Sequence, residues 1–171
     1  MSVLFRGVAL VAAAITMGLT AGLFYAYSCS VMPGLGQTDD RTFVGAMQRI
    51  NVAILNGWFA VCFGGALVLT VLAALLHLHR EGRPVLPWIV AALVLYVLVL
   101  VITALVNVPL NNALDAAGEP DGVAGLAAVR ERFEATWVRW NLARTVACVA
   151  AFGCLTWALV LYGRIGPSGG S

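Results

Sequence analysis

The sequence contains no lysine, has only two histidines, and carries charge at just 11% of its 171 positions. Soluble domains average about 25% charged and about 45–50% apolar residues; here 61% are apolar. With a mean hydropathy of +0.94, these shortages exclude a water-soluble globule. Ten arginines against eight acids leave a net charge of +2 with no basic run, so the electrostatic footprint of nucleic-acid binding is missing. Cys29, Cys62, Cys148 and Cys154 fit neither a disulfide framework nor a zinc spacing and read as small packing residues. His77 and His79, two apart, point to different faces of a helix, cannot ligate one metal from it, and read as a solvated helix end. There is no phosphate-binding glycine loop, nucleophile triad, haem pattern or iron–sulfur pattern, so no cofactor and no metal is expected.

What is present is long uncharged runs. Four lie between the charges, Gly7–Thr38, Ile50–His79, Pro84–Leu114 and Thr145–Gly163. Each can supply the roughly 20 helical residues that cross a bilayer. The expectation is one all-α domain over residues 1–165, an integral membrane four-helix bundle running up-down-up-down, with spans of about 3–31, 51–78, 87–110 and 141–163. The first apolar run exceeds the 7–15 residues of a signal-peptide core and reads as a retained span. Residues 166–171, Gly-Pro-Ser-Gly-Gly-Ser, read as a flexible tail.

Finer features follow from local chemistry. Pro33-Gly34 should end the first helix, whose small residues Ala14, Gly18, Gly22 and Ala26 form a packing stripe. Thr38 or Asp39 can cap the second helix, in which Phe43, Met47, Ile50 and Ile54 share a face. It reads as one continuous helix to about His77, roughly 60 Å long, and both it and the fourth helix should extend beyond the bilayer on one side. Pro87 suits the first turn of the third span. Glu131 and Glu134 read as the solvated side of the last helix, with Arg130, Arg132 and Glu134 available for local pairs. Arg6, Arg80, Arg83 and Arg164 lie in short segments at one end, which favours cytoplasmic termini in a bacterial-type plasma membrane.

The polar residues of the spans collect at the opposite end: Tyr25, Tyr27 and Ser28; Gln48, Asn51 and Asn56; Asn107, Asn111 and Asn112; Asn141 and Arg144. Gln48 and Asn51 are three apart, Asn107 and Asn111 four apart, and Trp137, Asn141 and Arg144 follow a four-then-three stripe, so each set shares one helix face. Such amides also serve as interhelical glue, aromatic residues near span ends as interface anchors, and an arginine there can snorkel. Their density favours a pocket, because an arginine at membrane depth costs at least about 2.5–3.5 kcal/mol and faces partners inside the protein.

Gly22-Leu-Phe-Tyr-Ala-Tyr-Ser-Cys-Ser-Val-Met-Pro-Gly-Leu35, Met47-Gln-Arg-Ile-Asn51, Asn107-Val-Pro-Leu-Asn-Asn-Ala-Leu114 and Arg139-Trp-Asn-Leu-Ala-Arg144 together resemble the anthrone oxygenase-like family of small four-span membrane proteins. The resemblance implies a monooxygenase that oxidises an anthrone to an anthraquinone with dioxygen and without metal or flavin. It implies Arg144 and Asn141, with Asn107 or Asn111, as donors to a developing oxyanion, and Tyr25, Trp137 and Trp140 as ring-stacking groups, with Gln48 and Asn51 completing the binding set. Where relatives place a histidine after the Trp-Asn pair this chain has Leu142, and the proton acceptor stays unassigned among water, a tyrosine, Asp115 and Glu134. The implied partners are a hydrophobic small-molecule ligand or substrate and membrane lipids. A non-enzymatic bundle that binds a lipid-like or quinone-like molecule, or a membrane partner, is the competing reading.

Overall fold

The computed structural model describes residues 3–78, 83–122 and 125–165. The expectations for His79, for Arg80 and for the tail at 166–171 lie outside them. Among the described residues all regular structure is helical: α1 (Val3–Ala26), α2 (Met32–Leu35), α3 (Asp40–Ala53), α4 (Gly57–Leu76), α5 (Leu86–Ile102), α6 (Val108–Asp115) and α7 (Leu126–Ile165). Four helical stretches are long and apolar enough to cross a membrane, Leu4–Leu35, Gly57–Leu76, Leu86–Asp115 and Leu126–Arg164. They make the chain an integral membrane protein.

Pro33 does not end the first span. A π-helical turn over Tyr27–Val31 joins α1 to α2, closed by the Met32 N–H bonding to the Tyr27 carbonyl, and the helix runs on to Leu35. An identical device joins α5 to α6, where the turn Thr103–Asn107 is closed by the Val108 N–H on the Thr103 carbonyl, ahead of Pro109. A proline ring crowds the carbonyl four residues before it and offers no N–H. Widening the turn just upstream accommodates that ring, so both helices pass their prolines without breaking.

The second helix, by contrast, is not continuous. It breaks at Ile54–Asn56, where Asn56 leaves helical geometry (φ −123°, ψ 170°) and its side chain accepts from the Phe59 N–H at 3.1 Å, capping α4. Its amide nitrogen donates to the Ala53 carbonyl, so Asn56 is occupied by the break itself. A short polar side chain that offers the backbone a local alternative, followed by Gly57, outweighs the apolar periodicity across this point. Asp39 caps α3 as expected, accepting from Thr42 N–H at 3.0 Å.

Helix α7 lies between α1 and α5. Along α1 its partners run in opposite order, Gly7 near Tyr162, Met17 near Cys148 and Phe24 near Asn141. The buried face of α1 is Leu10, Ala14, Met17, Ala21 and Phe24. Of the expected stripe, Ala14 and Gly18 pack, and a Cβ on Gly18 would meet Phe152 at 3.0 Å, whereas Gly22 and Ala26 are exposed. Four-residue steps overshoot a 3.6-residue turn by about 40° each, and three steps carry the stripe off the packed face. His77 is likewise not solvated. It is fully buried at the end of α4, with Nδ1 at 2.7 Å from the Ala73 carbonyl and its ring against the edge of Tyr162.

Two apolar clusters result. The larger fills the space among α1, α4, α5 and α7 around Leu10, Met17, Tyr96 and Leu155. The smaller joins α2, α3, α6 and the start of α7 through Met32, Phe43, Met47, Leu114, Phe133 and Trp137. Arg130 ties the second cluster together: it bonds the Gly36 and Thr38 carbonyls, Asp40 and Glu134, and lies over the Phe43 ring at 4.5 Å. Glu134 is therefore half-buried in an ion pair, while Glu131 is exposed.

Candidate functional site

Between the two clusters is a chamber of about 370 Å³, within the range of small-molecule pockets. Phe24, Phe59 and Phe63 line its membrane side, and Tyr27, Trp137 and Gln48 its outer side. Seven of the nine residues expected at the site line it: Gln48, Asn51, Asn107, Asn111, Trp137, Asn141 and Arg144.

The other two do not. Tyr25 is 58% exposed and Trp140 38% exposed, both on outward faces. Phe24 and Ser28, four apart, carry the inward face of the first span, and a residue one position along a helix points about 100° away. Trp140 is offset in the same way from the Trp137–Asn141–Arg144 stripe. Both have the placement of membrane-interface aromatics. Leu142 is also exposed, so the departure from the family pattern there does not alter the chamber wall.

Among the lining residues that the sequence reading did not assign, three pack around Arg144 and Trp137. Tyr27 packs on Trp137 with ring centroids 5.7 Å apart, Phe24 lies under the Arg144 guanidinium at 4.4 Å, and the Thr103 hydroxyl is 3.3 Å from an Arg144 amino group. The available signal was helical offset, since Thr103 precedes Asn107 by four and Phe24 precedes Ser28 by four.

Within this wall the amides divide into two kinds. Asn141 is held on both sides, donating to the Phe24 carbonyl at 3.1 Å and to Ser28 Oγ at 2.8 Å, while its oxygen accepts from Arg144 Nη2 at 2.8 Å. Asn111 accepts from the Trp137 indole at 2.9 Å. Gln48 donates to the Leu114 and Gly118 carbonyls, holding the end of α6 at the chamber mouth. Asn107 is different: only 1% exposed, it has no protein partner for either its oxygen or its nitrogen. Asn51 Nδ2 and Arg144 Nε are buried and unpartnered as well.

Arg144 is 6% exposed, and no described carboxylate pairs with it. Its charge is met by two ring faces, Phe24 at 4.4 Å and Trp137 at 5.6 Å, and by neutral oxygens. Among the described residues it is, apart from Asp115 at the mouth, the only charged one on the chamber wall. A buried cation with a spare donor, on a largely apolar wall, is suited to a negatively charged oxygen. Among the described residues no group of three or more histidine, cysteine or acidic side chains is placed to hold a metal ion.

A sequence model of the family described as Anthrone oxygenase matches residues 57–154. No curated protein and no solved structure matches the chain. The matched stretch is more than half of the sequence and contains the α5–α6 and α7 walls of the chamber, from Thr103 and Asn107 to Asn141 and Arg144. By that match, the chain belongs to the anthrone oxygenase family.

Proposed function

We propose that the protein is a monooxygenase that oxidises a hydrophobic, anthrone-like aromatic with dioxygen, in the chamber and without a cofactor. An anthrone has an acidic carbon whose deprotonation gives a delocalised enolate, electron-rich enough to react with dioxygen directly. The protein then has to bind a flat apolar molecule, stabilise the oxyanion and remove a proton. The observation that carries this reading is Arg144, buried without a carboxylate partner among the described residues and with Nε unpaired, on the wall of the chamber that the equally unpaired Asn107 amide also lines. Asn141 holds the guanidinium in place, and Trp137, Phe24 and Phe63 offer ring faces to the substrate.

In this reading residues 1–165 form one up-down-up-down membrane domain, α3 and the start of α7 stand outside the bilayer, and the termini are cytoplasmic beside Arg6, Arg83 and Arg164 in a bacterial-type plasma membrane. Purified protein should accelerate oxygen uptake with an anthrone above the spontaneous rate. Arg144→Ala and Asn141→Ala should lower that rate by about 100- to 1,000-fold, the usual cost of losing an oxyanion donor. A wild-type rate equal to background refutes the proposal.

One observation favours a second reading, a non-enzymatic site for a lipid-like or quinone-like molecule. Asn141, Asn111 and Gln48 spend hydrogen bonds on neighbouring helices, as interhelical glue does. Equal anthrone oxidation with and without protein, together with saturable quinone binding, would select it.

A further inference from the structure

A ligand of the chamber has to arrive from lipid or from water, and its route, which rests on the reading that the chamber holds the ligand, is marked by the lining residues that are also exposed. Among the described residues these are Val52, Leu55, Val108, Asn112 and Asp115. They form the rim of an opening, with Val52 and Leu55 at the break between α3 and α4 on one side and the three others along α6 on the other. Leu55 is 78% exposed and Val108 43%. Val108 lies within the apolar stretch Leu86–Asp115, and Leu55 comes just before the apolar stretch Gly57–Leu76. Trp58 and Leu105, each about one turn further into its span, are exposed too. The rim is therefore apolar where it meets the spans and turns polar only at Asn112 and Asp115, towards the end of α6.

The side towards water is built differently. A groove of about 990 Å³ lies there, lined by Asp39, Arg41, Arg49 and Glu119, and it shares only Gln48, Val52 and Asp115 with the chamber. The shared residues are the partition between the two spaces. Gln48 fastens it from α3, donating to the Leu114 carbonyl at 2.9 Å and the Gly118 carbonyl at 3.0 Å. Met47 and Leu114 pack in one apolar cluster beside it. Across the opening, by contrast, no hydrogen bond among the described residues joins residues 52–59 to α6. The bond between α4 and the third span, from the Tyr96 hydroxyl to the Phe63 carbonyl at 2.7 Å, lies about two turns along α4 from the rim. Irregular backbone such as Ile54–Asn56 is tolerated at a membrane where it borders a cavity.

We propose that an uncharged, membrane-dissolved aromatic molecule enters and leaves the chamber sideways from the bilayer, between the α3–α4 break and α6, while Gln48 keeps the chamber shut towards the aqueous groove. A molecule of this class concentrates in lipid. On this route it slides between Leu55 and Val108 and meets the stacked rings of Phe59 and Phe63, 4.9 Å apart, without passing through water.

The test bridges the opening in liposome-reconstituted protein, in a Cys29→Ser background because Cys29 is an exposed thiol. Leu55→Cys with Val108→Cys, joined by cleavable bismaleimides of graded length, should trap anthraquinone bound beforehand against extraction by empty vesicles and exclude anthraquinone added afterwards. Cleaving the linker should restore exchange. Arg49→Cys with Glu119→Cys, bridged in the same way across the groove, should neither trap nor exclude. Free exchange with the first bridge closed, or trapping by the second, overturns the route. Where the first bridge does not form, Leu55→Trp with Val108→Trp should slow uptake and release alike by at least about 10-fold, and unchanged rates overturn the route. Anthraquinone binding without anthrone oxidation overturns the oxygenase and leaves the bridges to decide the route. No binding by wild type overturns the chamber as a ligand site and the route with it.

Discussion

Replacing Arg144 by methionine separates a functional arginine from a structural one. The substitution forfeits ring contacts with Phe24 and Trp137, together worth about 2 kcal/mol when desolvated. It strands the Asn141 oxygen at a cost of about 1–3 kcal/mol. It also removes a guanidinium from membrane depth, which returns about 2.5–3.5 kcal/mol. No carboxylate is left behind unpaired, so the large penalty of splitting a buried ion pair does not arise. Losses and gain agree to within about 2.5 kcal/mol, so Arg144→Met should still fold. Oxidation should nevertheless fall by about 100- to 1,000-fold, as for a lost oxyanion donor. Reversible unfolding in mixed micelles, read beside oxygen uptake by the folded fraction, measures both quantities. Destabilisation beyond about 4 kcal/mol, with normal activity in whatever folds, would show that Arg144 is structural glue and refute the reasoning.

Three further outcomes are expected. Asn107→Leu, which replaces two unpartnered buried polar atoms with an apolar side chain of similar size, should stabilise the empty protein by about 1–3 kcal/mol and abolish ligand binding; destabilisation with binding retained would contradict it. Arg130→Met frees the Gly36 and Thr38 carbonyls together with Asp40 and Glu134, and limited proteolysis should then cut the Gly36–Asp40 turn faster than in wild type. Asp39 holds its carboxyl below the ordinary value of 3.8 through the Thr42 hydroxyl and N–H. Its folded pKa is depressed, so the cap's contribution is present above that value and is lost as pH falls through the folded pKa. Wild type should thus lose α3 helicity on acidification, and Asp39→Asn, an uncharged cap, should show a flatter profile by circular dichroism.

The four spans and the polar end of the protein were legible because charge is so completely excluded from the helices that positions alone draw their limits. The contents of the chamber were legible where residues followed a regular period, as in Trp137, Asn141 and Arg144. Legibility failed wherever the backbone departs from that period. Asn56 and Gly57 break a helix whose apolar face continues on paper, because a side-chain cap satisfies the backbone locally. Tyr25 looked equivalent to Tyr27 from composition alone, but only Tyr27 belongs to the turn that borders the chamber. His77 looked polar and terminal, yet a carbonyl partner and the Tyr162 ring make it a core residue.

The matched π turns before Pro33 and Pro109 bear on how such a chamber could arise. A π turn holds one residue more than the α turn it replaces, and that residue rotates everything downstream by about 100°. Deleting a single residue from Tyr27–Val31, or from Thr103–Asn107, would restore an ordinary helix and swing the following segment around its axis. One extra residue in each of two otherwise plain apolar helices therefore sets where Tyr27 and Asn107 stand on the chamber wall that Arg144 also lines. The lining of the chamber is separable from the membrane scaffold by the smallest change a gene can make in frame.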